Sequence, residues 1–104
     1  FNGEQTAIQA SHWAGRLLGQ YADDRAIIHR AWMEAYGRPP TLDELAGAKE
    51  FLGAQAERIY TGEMNVPTTS QPVPCPSCLE PHRAAAYVDL CHALLNSSEF
   101  LFVD

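Results

Sequence analysis

The residues best suited to chemistry in this chain form a short cysteine motif, Cys75-Pro76-Ser77-Cys78. Two thiolates at this spacing in a loop suit tetrahedral zinc, and His82 follows four positions after Cys78. Cys91 or His92 would supply a fourth ligand. One hypothesis is therefore a zinc site built from these side chains.

The same motif argues against covalent haem. A haem c attachment site has a histidine directly after its second cysteine, whereas Leu79 follows Cys78 in this chain. We therefore expect no cofactor on this chain, with zinc as the alternative.

The three cysteines also allow disulfides, since cysteines in oxidising compartments are normally paired. A Cys75–Cys78 bond would close a tight ring in the loop and leave Cys91 as a buried thiol. A bond from either of them to Cys91 would instead tie the loop to the last helix. A redox-active dithiol is a further alternative, but it favours a cysteine at a helix N-terminus, and the neighbouring prolines oppose that.

The other polar residues favour structural roles. His12 and His29 lie on helices near tryptophans and are expected to be half-exposed packing residues. Asp23-Asp24 and Asp43-Glu44 lie at helix starts, where negative charge complements the helix dipole. No two carboxylates form an acid–base pair for glycoside cleavage. The tyrosines and tryptophans mostly follow helical stripes, so we expect them in the core; a carbohydrate platform would need several exposed together.

Two helices are predicted in the first half of the chain, because apolar residues recur there at helical spacing. The first spans about Glu4 to Tyr21, and its inward residues are Ala7, Ala10, Ala14, Leu17, Leu18 and Tyr21. Asp23 or Asp24 caps the second helix, and Gly37 ends it. The inward residues of the second helix are Ile27, Ile28, Ala31, Trp32 and Ala35.

Two further helices are predicted after the Arg38-Pro39-Pro40 turn. Thr41 and Glu44 form a capping box that starts the third helix, which runs to about Tyr60 and ends at Gly62. Its inward residues are Leu45, Ala48, Leu52, Ala56 and Ile59. A proline-rich loop covers 63–81, and loops of this length are usually functional or flexible.

The fourth helix spans about His82 to Asn96, with Asn96 as its C-cap. The residues expected to face inward are Tyr87, Leu90, Cys91, Leu94 and Leu95. Phe100 and Phe102 are expected to anchor the closing tail on the core, although their alternation would also fit a short strand. The sequence thus predicts an all-α bundle of four antiparallel helices forming one domain over residues 1–104.

Charge and composition exclude several classes of protein. With 46% hydrophobic and 19% charged residues among 104, the chain is typical of a globular domain. It has 7 basic and 13 acidic residues, a net charge of -6, and its basic residues are scattered singly, so we expect no nucleic-acid binding. No apolar run approaches the roughly 20 residues that span a bilayer. Because the chain begins at Phe1, we expect it to be part of a longer protein.

Two segments resemble a known family. Residues 35–45, AYGRPPTLDEL, are similar to its "LGRPPTPEEL" turn, and residues 89–104, DLCHALLNSSEFLFVD, are similar to its "DLCQALLNSSEFLYVD" close. The start of the chain, FNGEQ, also looks like the family's approach to this helical region. These segments resemble the C-terminal helical region of the planctomycete cytochrome-c-linked multidomain proteins. The resemblance covers most of the chain apart from residues 61–83.

The resemblance implies an exported, periplasmic or cell-surface protein whose upstream domains, often including a cytochrome c module, are this chain's partners. It implies no catalytic residues. We therefore expect a non-catalytic structural or interaction module, with a protein or polysaccharide as a further partner. The alternatives are a zinc or redox module on the cysteine loop, and part of an enzyme for polymer breakdown that upstream domains complete.

Overall fold

The structure, a computed structural model, describes residues 3–62, 71–75 and 79–97. Over these ranges the chain is all-α and has no strand. Its helices are α1 (Gly3–Gln20), α2 (Asp24–Tyr36), α3 (Leu42–Thr61) and α4 (Pro81–Leu95). The predicted bundle of four main helices is confirmed. The predicted anchoring of Phe100 and Phe102, with its strand alternative, lies outside the described residues.

Both ends of α2 follow from local sequence signals. The Asp23 carboxylate accepts a hydrogen bond from the Ala26 amide at 3.3 Å and so satisfies one of the free amides at the helix start. Gly37 ends α2 at φ 73°, and its amide donates to the Met33 carbonyl at 3.0 Å. Glycine adopts this left-handed conformation without the Cβ clash of other residues, so the predicted stop at Gly37 is confirmed.

The capping box predicted at the start of α3 is also present. The Glu44 amide donates to the Thr41 hydroxyl at 3.1 Å, and the Thr41 amide donates to the Glu44 carboxylate at 2.9 Å. Arg38 donates to both oxygens of that carboxylate, at 2.8 and 3.1 Å. The Arg38-Pro39-Pro40 turn is therefore joined to the first turn of α3 by a two-point ion pair.

The start of α4 corrects the predicted loop. The proline-rich loop is predicted to cover 63–81, but Pro81 is the first residue of α4. Proline suits this position because its fixed φ is helical and the missing amide hydrogen would have no intrahelical partner. At the other end Asn96 is the C-cap, as predicted, but with φ -92° it lies outside the left-handed region.

The core is formed by the predicted inward faces of the four helices. All five residues predicted to face inward on α2 are buried, as are those near the middle of α1, α3 and α4. Six predicted inward residues are only partly buried, because they lie near helix ends or at the edge of a stripe. Four of them, Leu18, Tyr21, Leu45 and Leu95, still pack against the core; the other two are Ala7 and Ile59. α4 packs mainly against α3 and α1. Its first half contributes a buried run of small residues, Ala84, Ala85 and Ala86. Among the described helices, none combines the length and apolar character needed to cross a membrane.

Candidate functional site

The cysteine motif begins in a short segment that packs against α1. We call residues 71–75 the anchored segment. Its Val73 amide donates to the Ser11 carbonyl at 3.0 Å, and Pro72 is buried. A Cβ on Gly15 would lie 2.1 Å from the Val73 carbonyl oxygen. Glycine at position 15 is therefore what lets this backbone approach the helix so closely.

Cys75 ends the anchored segment and is exposed. Its thiol donates to the Gln71 side-chain oxygen at 3.7 Å, and the Gln71 amide group donates to the Pro81 carbonyl at 3.2 Å. Gln71 thus connects Cys75 with the first turn of α4, where His82 lies. Cys78 is outside the described residues, so the Cys75–Cys78 disulfide stays a prediction.

Cys91 lies in the core, only 2% exposed, on the buried face of α4. Burial raises the pKa of its thiol to about 12, because the low-dielectric interior opposes the charged thiolate. His82 lies nine positions earlier on the same helix, which is a rise of about 13.5 Å. Zinc ligands lie within about 2.3 Å of the metal, so the structure does not bring His82 and Cys91 together around one ion.

His92, the other fourth ligand considered, is half-buried in the last turn of α4 and is equally remote from His82. Over the ranges that the structure describes, no three His, Cys, Asp or Glu side chains are grouped to hold a metal ion. The part of the predicted zinc set that remains close in the chain is Cys75, Cys78 and His82.

Glu34 on α2 accepts hydrogen bonds from side chains of both α1 and α2. Its carboxylate accepts hydrogen bonds from the Trp13 indole at 2.9 Å, from Arg16 at 2.5 and 2.9 Å, and from Arg30 at 2.8 Å. The Arg16 guanidinium contributes most to lowering the pKa of Glu34 to about 2. These contacts tie α1 to α2, and we call them the Glu34 cluster.

Further polar contacts connect the other helix pairs. Arg83 on α4 forms an ion pair with Asp24 at the start of α2. The hydroxyls of Tyr36 and Ser97 share a hydrogen bond of 2.9 Å between the ends of α2 and α4. Between α3 and α4, the buried Gln55 side chain donates to the Asp89 carboxylate at 2.9 Å.

A groove of about 480 Å³ lies between α3 and the start of α4. Tyr60 on its rim is 74% exposed, so the expectation that this tyrosine lies in the core is wrong. Its ring centroid lies 5.0 Å from that of His82, with the planes tilted by 57°. His82 in turn donates from Nε2 to the Glu80 carboxylate at 2.8 Å. We call this the Tyr60–His82 groove.

His12 and His29, predicted to be half-exposed packing residues, both lie at exposed positions of the first two helices. His12 lines a second groove, of about 610 Å³, between α1 and the anchored segment. Trp13, one position later, also lines this groove, and its indole donates to the Glu34 carboxylate.

Neither the Glu34 cluster nor the Tyr60–His82 groove is among the sites predicted from the sequence. Part of the first was visible, because Arg30 and Glu34 are four positions apart and therefore neighbours on one helix face. Trp13 and Arg16 share a face of α1 by the same rule. That the two faces meet depends on how α1 packs on α2, which spacing along the chain does not encode.

Comparisons of this chain with protein-family models, with curated proteins and with solved structures find no match. The family resemblance of residues 35–45 and 89–104 therefore stays a prediction.

Proposed function

We propose that this chain is a structural or interaction module at the carboxyl end of an exported bacterial multidomain protein, and that its primary partners are the upstream domains of that protein. The resemblance of the Arg38-Pro39-Pro40 turn and of the closing stretch motivates the setting. The polar contacts between side chains of different helices support the structural role.

The observation that carries the proposal is the set of polar contacts that join separate helices. The Glu34 cluster joins α1 to α2, the Arg83–Asp24 pair joins α4 to α2, and Gln55 joins α3 to Asp89 on α4. Hydrogen-bonded contacts of this kind fix the relative positions of helices, so the bundle can present its outer surface in one arrangement.

Exposed apolar side chains on that outer surface are available to contact another domain. Large hydrophobic residues that are exposed include Ile8, Leu42, Tyr60 and Val73. Interfaces between domains of one protein are commonly of modest size and mixed polarity, so scattered exposed apolar groups among charges suit them.

The proposal is tested by expressing the 104-residue chain and the upstream part of its parent protein separately. Co-elution of the two in size-exclusion chromatography, with no hydrolysis of polysaccharide or protein substrates by the chain alone, would support it. Turnover of any polymer by the isolated chain would refute the non-catalytic role.

A second candidate is a zinc or redox site on Cys75, Cys78 and His82. Gln71 favours it, because its side chain bonds both to Cys75 and to the first turn of α4, which carries His82. Thiolate and imidazole are ligands that zinc prefers. In this arrangement Cys91 is a core residue and not a ligand.

Metal analysis with thiol titration separates these candidates. One zinc per chain, lost in a variant that carries Cys75→Ser and Cys78→Ser but kept in Cys91→Ala, would support the zinc site. Metal-free protein with Cys75 and Cys78 resistant to alkylation until reduced would indicate the disulfide instead.

A further inference from the structure

The Tyr60–His82 groove combines an exposed aromatic ring with carboxylates, and this combination recognises cations. We propose that the groove binds a basic segment of a partner polypeptide, with a guanidinium or ammonium group held over the Tyr60 ring. The inference rests on the proposed function, since it specifies the chemistry of the partner that an interaction module would contact.

One side of the groove is a stripe on α3. Gly53, Ala56, Glu57 and Tyr60 all line it, at spacings of three and four that place them on one helix face. The two small residues leave room between the helices for an extended side chain. Glu57 and Tyr60 stand one turn apart, so a cation over the ring is within reach of the carboxylate.

The other side is the start of α4. His82 packs against the Tyr60 ring, and its hydrogen bond to Glu80 holds the imidazole in one orientation. Tyr60 is thereby supported in position although 74% of its surface is exposed. A supported ring loses little conformational freedom when a ligand arrives, which favours binding.

The charges of the groove favour a cationic ligand. Glu57 and Glu80 contribute two carboxylates to its lining. Arg83 is the one Lys or Arg among the described lining residues, and its guanidinium pairs with Asp24 and lies 5.9 Å from the Tyr87 ring centroid. Asp24 balances the charge of Arg83, and Glu80 accepts from His82. The Glu57 carboxylate is therefore the main charge that the groove offers to a ligand.

The test uses the 104-residue chain and a short capped peptide that carries two arginines. Binding is followed by nuclear magnetic resonance, from the ring signals of Tyr60 and His82 and the amide signals of Gly53 and Ala56. Tyr60→Ala is expected to weaken binding by about 2- to 5-fold, the range for an exposed cation–π contact. Tyr60→Phe keeps the ring and should bind as the original protein does.

Glu57→Gln provides a second variant, because Glu57 is exposed and its replacement leaves the core intact. It is expected to weaken binding and to reduce its dependence on salt. Leu42→Ala, at an exposed position at the far end of α3, is the matched control and should change nothing.

Three results would overturn the inference. The first is that the peptide does not perturb the groove signals, and the second is that the original protein and Tyr60→Ala bind it equally well. The third is that a neutral oligosaccharide such as cellopentaose perturbs the signals but the peptide does not. The second would show attraction to the net charge alone, and the third would identify a carbohydrate site.

The two proposals can fail separately. If the upstream region binds the original chain and Tyr60→Ala equally well, the groove is not its contact, while the interaction module stands. If the arginine peptide binds in the groove but the upstream region does not bind at all, the groove stands and the proposed partner is wrong.

Discussion

At the scale of single residues, Glu34 shows how one carboxylate can organise the meeting of two helices. It is partly shielded, with 20% of its side chain exposed, and it accepts from an indole and two guanidinium groups. Hydrogen bonds to a charged acceptor are stronger than those between neutral groups. The lowered pKa of Glu34 reports that the folded state favours its ionised form.

Glu34→Gln is therefore expected to lower the free energy of unfolding at neutral pH by about 1 kcal/mol, since the ion pairs are half-exposed on the arginine side. The pKa of Glu34 falls from an ordinary 4.5 to about 2 on folding, so its contribution is present above pH 4.5 and is lost as pH falls toward 2. Thermal unfolding at a series of pH values measures this.

The difference in Tm between the original protein and Glu34→Gln should shrink over that acidic range. Glu50→Gln, at an exposed position of α3, is the control and should follow the original protein throughout. A Glu34→Gln difference that stays constant down to pH 2 would contradict the assignment, because it would show an effect independent of the carboxylate's charge.

Cys91 makes a second prediction at this scale. Because the thiol is buried and its pKa is raised to about 12, it should react at least ~100-fold more slowly in the folded than in the unfolded protein. The measurement is labelling with a disulfide reagent in a variant that carries Cys75→Ser and Cys78→Ser, with and without guanidinium chloride.

A variant that retains only the exposed Cys75 is the control, and it should label rapidly in the folded protein. Equal rates for folded and unfolded Cys91 would mean that the inner face of α4 opens easily, against the packing described.

At the scale of elements, both ends of α2 and of α3 were predictable from the sequence, whereas loop contacts were not. Asp23, Gly37 and the Thr41–Glu44 box act within a few residues, so their types and spacing reveal the boundaries. The contact of Gly15 with Val73 joins positions far apart in the chain. Nothing local distinguishes Gly15 from Gly19, and only the packed structure shows which glycine is needed.

Gly15→Ala should accordingly displace the anchored segment, because its Cβ would lie 2.1 Å from the Val73 carbonyl oxygen. A loss of about 1–3 kcal/mol in the free energy of unfolding is expected, the usual range for overpacking. Hydrogen exchange should show faster exchange at the Val73 amide.

Gly19→Ala is the matched control on the same helix, since nothing lies within 4 Å of its added Cβ. It should leave the Val73 amide unchanged and be neutral or slightly stabilising. Equal exchange at Val73 in both variants would contradict the anchoring of the segment.

Gly37 at the end of α2 and Gly47 inside α3 should respond in opposite ways to replacement by alanine. Gly37→Ala should cost about 1 kcal/mol of unfolding free energy, because φ 73° strains any residue with a Cβ. Gly47→Ala, inside α3 and open to solvent, should instead gain about 0.5–1 kcal/mol. Denaturant unfolding distinguishes them, and a stabilising Gly37→Ala would contradict the left-handed C-cap.

At the scale of the whole molecule, the fold could be predicted from the sequence more completely than the candidate site could. The period of apolar residues identifies the four inward faces, but the expectation that Tyr60 follows such a stripe into the core is wrong. Tyr60 lies in the last turn of α3, beyond the stripe that ends near Ile59, and so it emerges at the surface. The predicted zinc set stays a prediction because Cys78 lies outside the described residues. His82 and Cys91 lie nine positions apart on α4, a rise of about 13.5 Å.

We propose above that this bundle is an interaction module whose partners are the upstream domains of a longer protein. Calorimetric titration of the upstream region with the 104-residue chain tests this most directly. We expect an equimolar complex, with a dissociation constant of about 1 μM as in transient interfaces, and no turnover of polymer substrates. Absence of binding at the highest soluble concentrations, or catalysis by the chain alone, would contradict it.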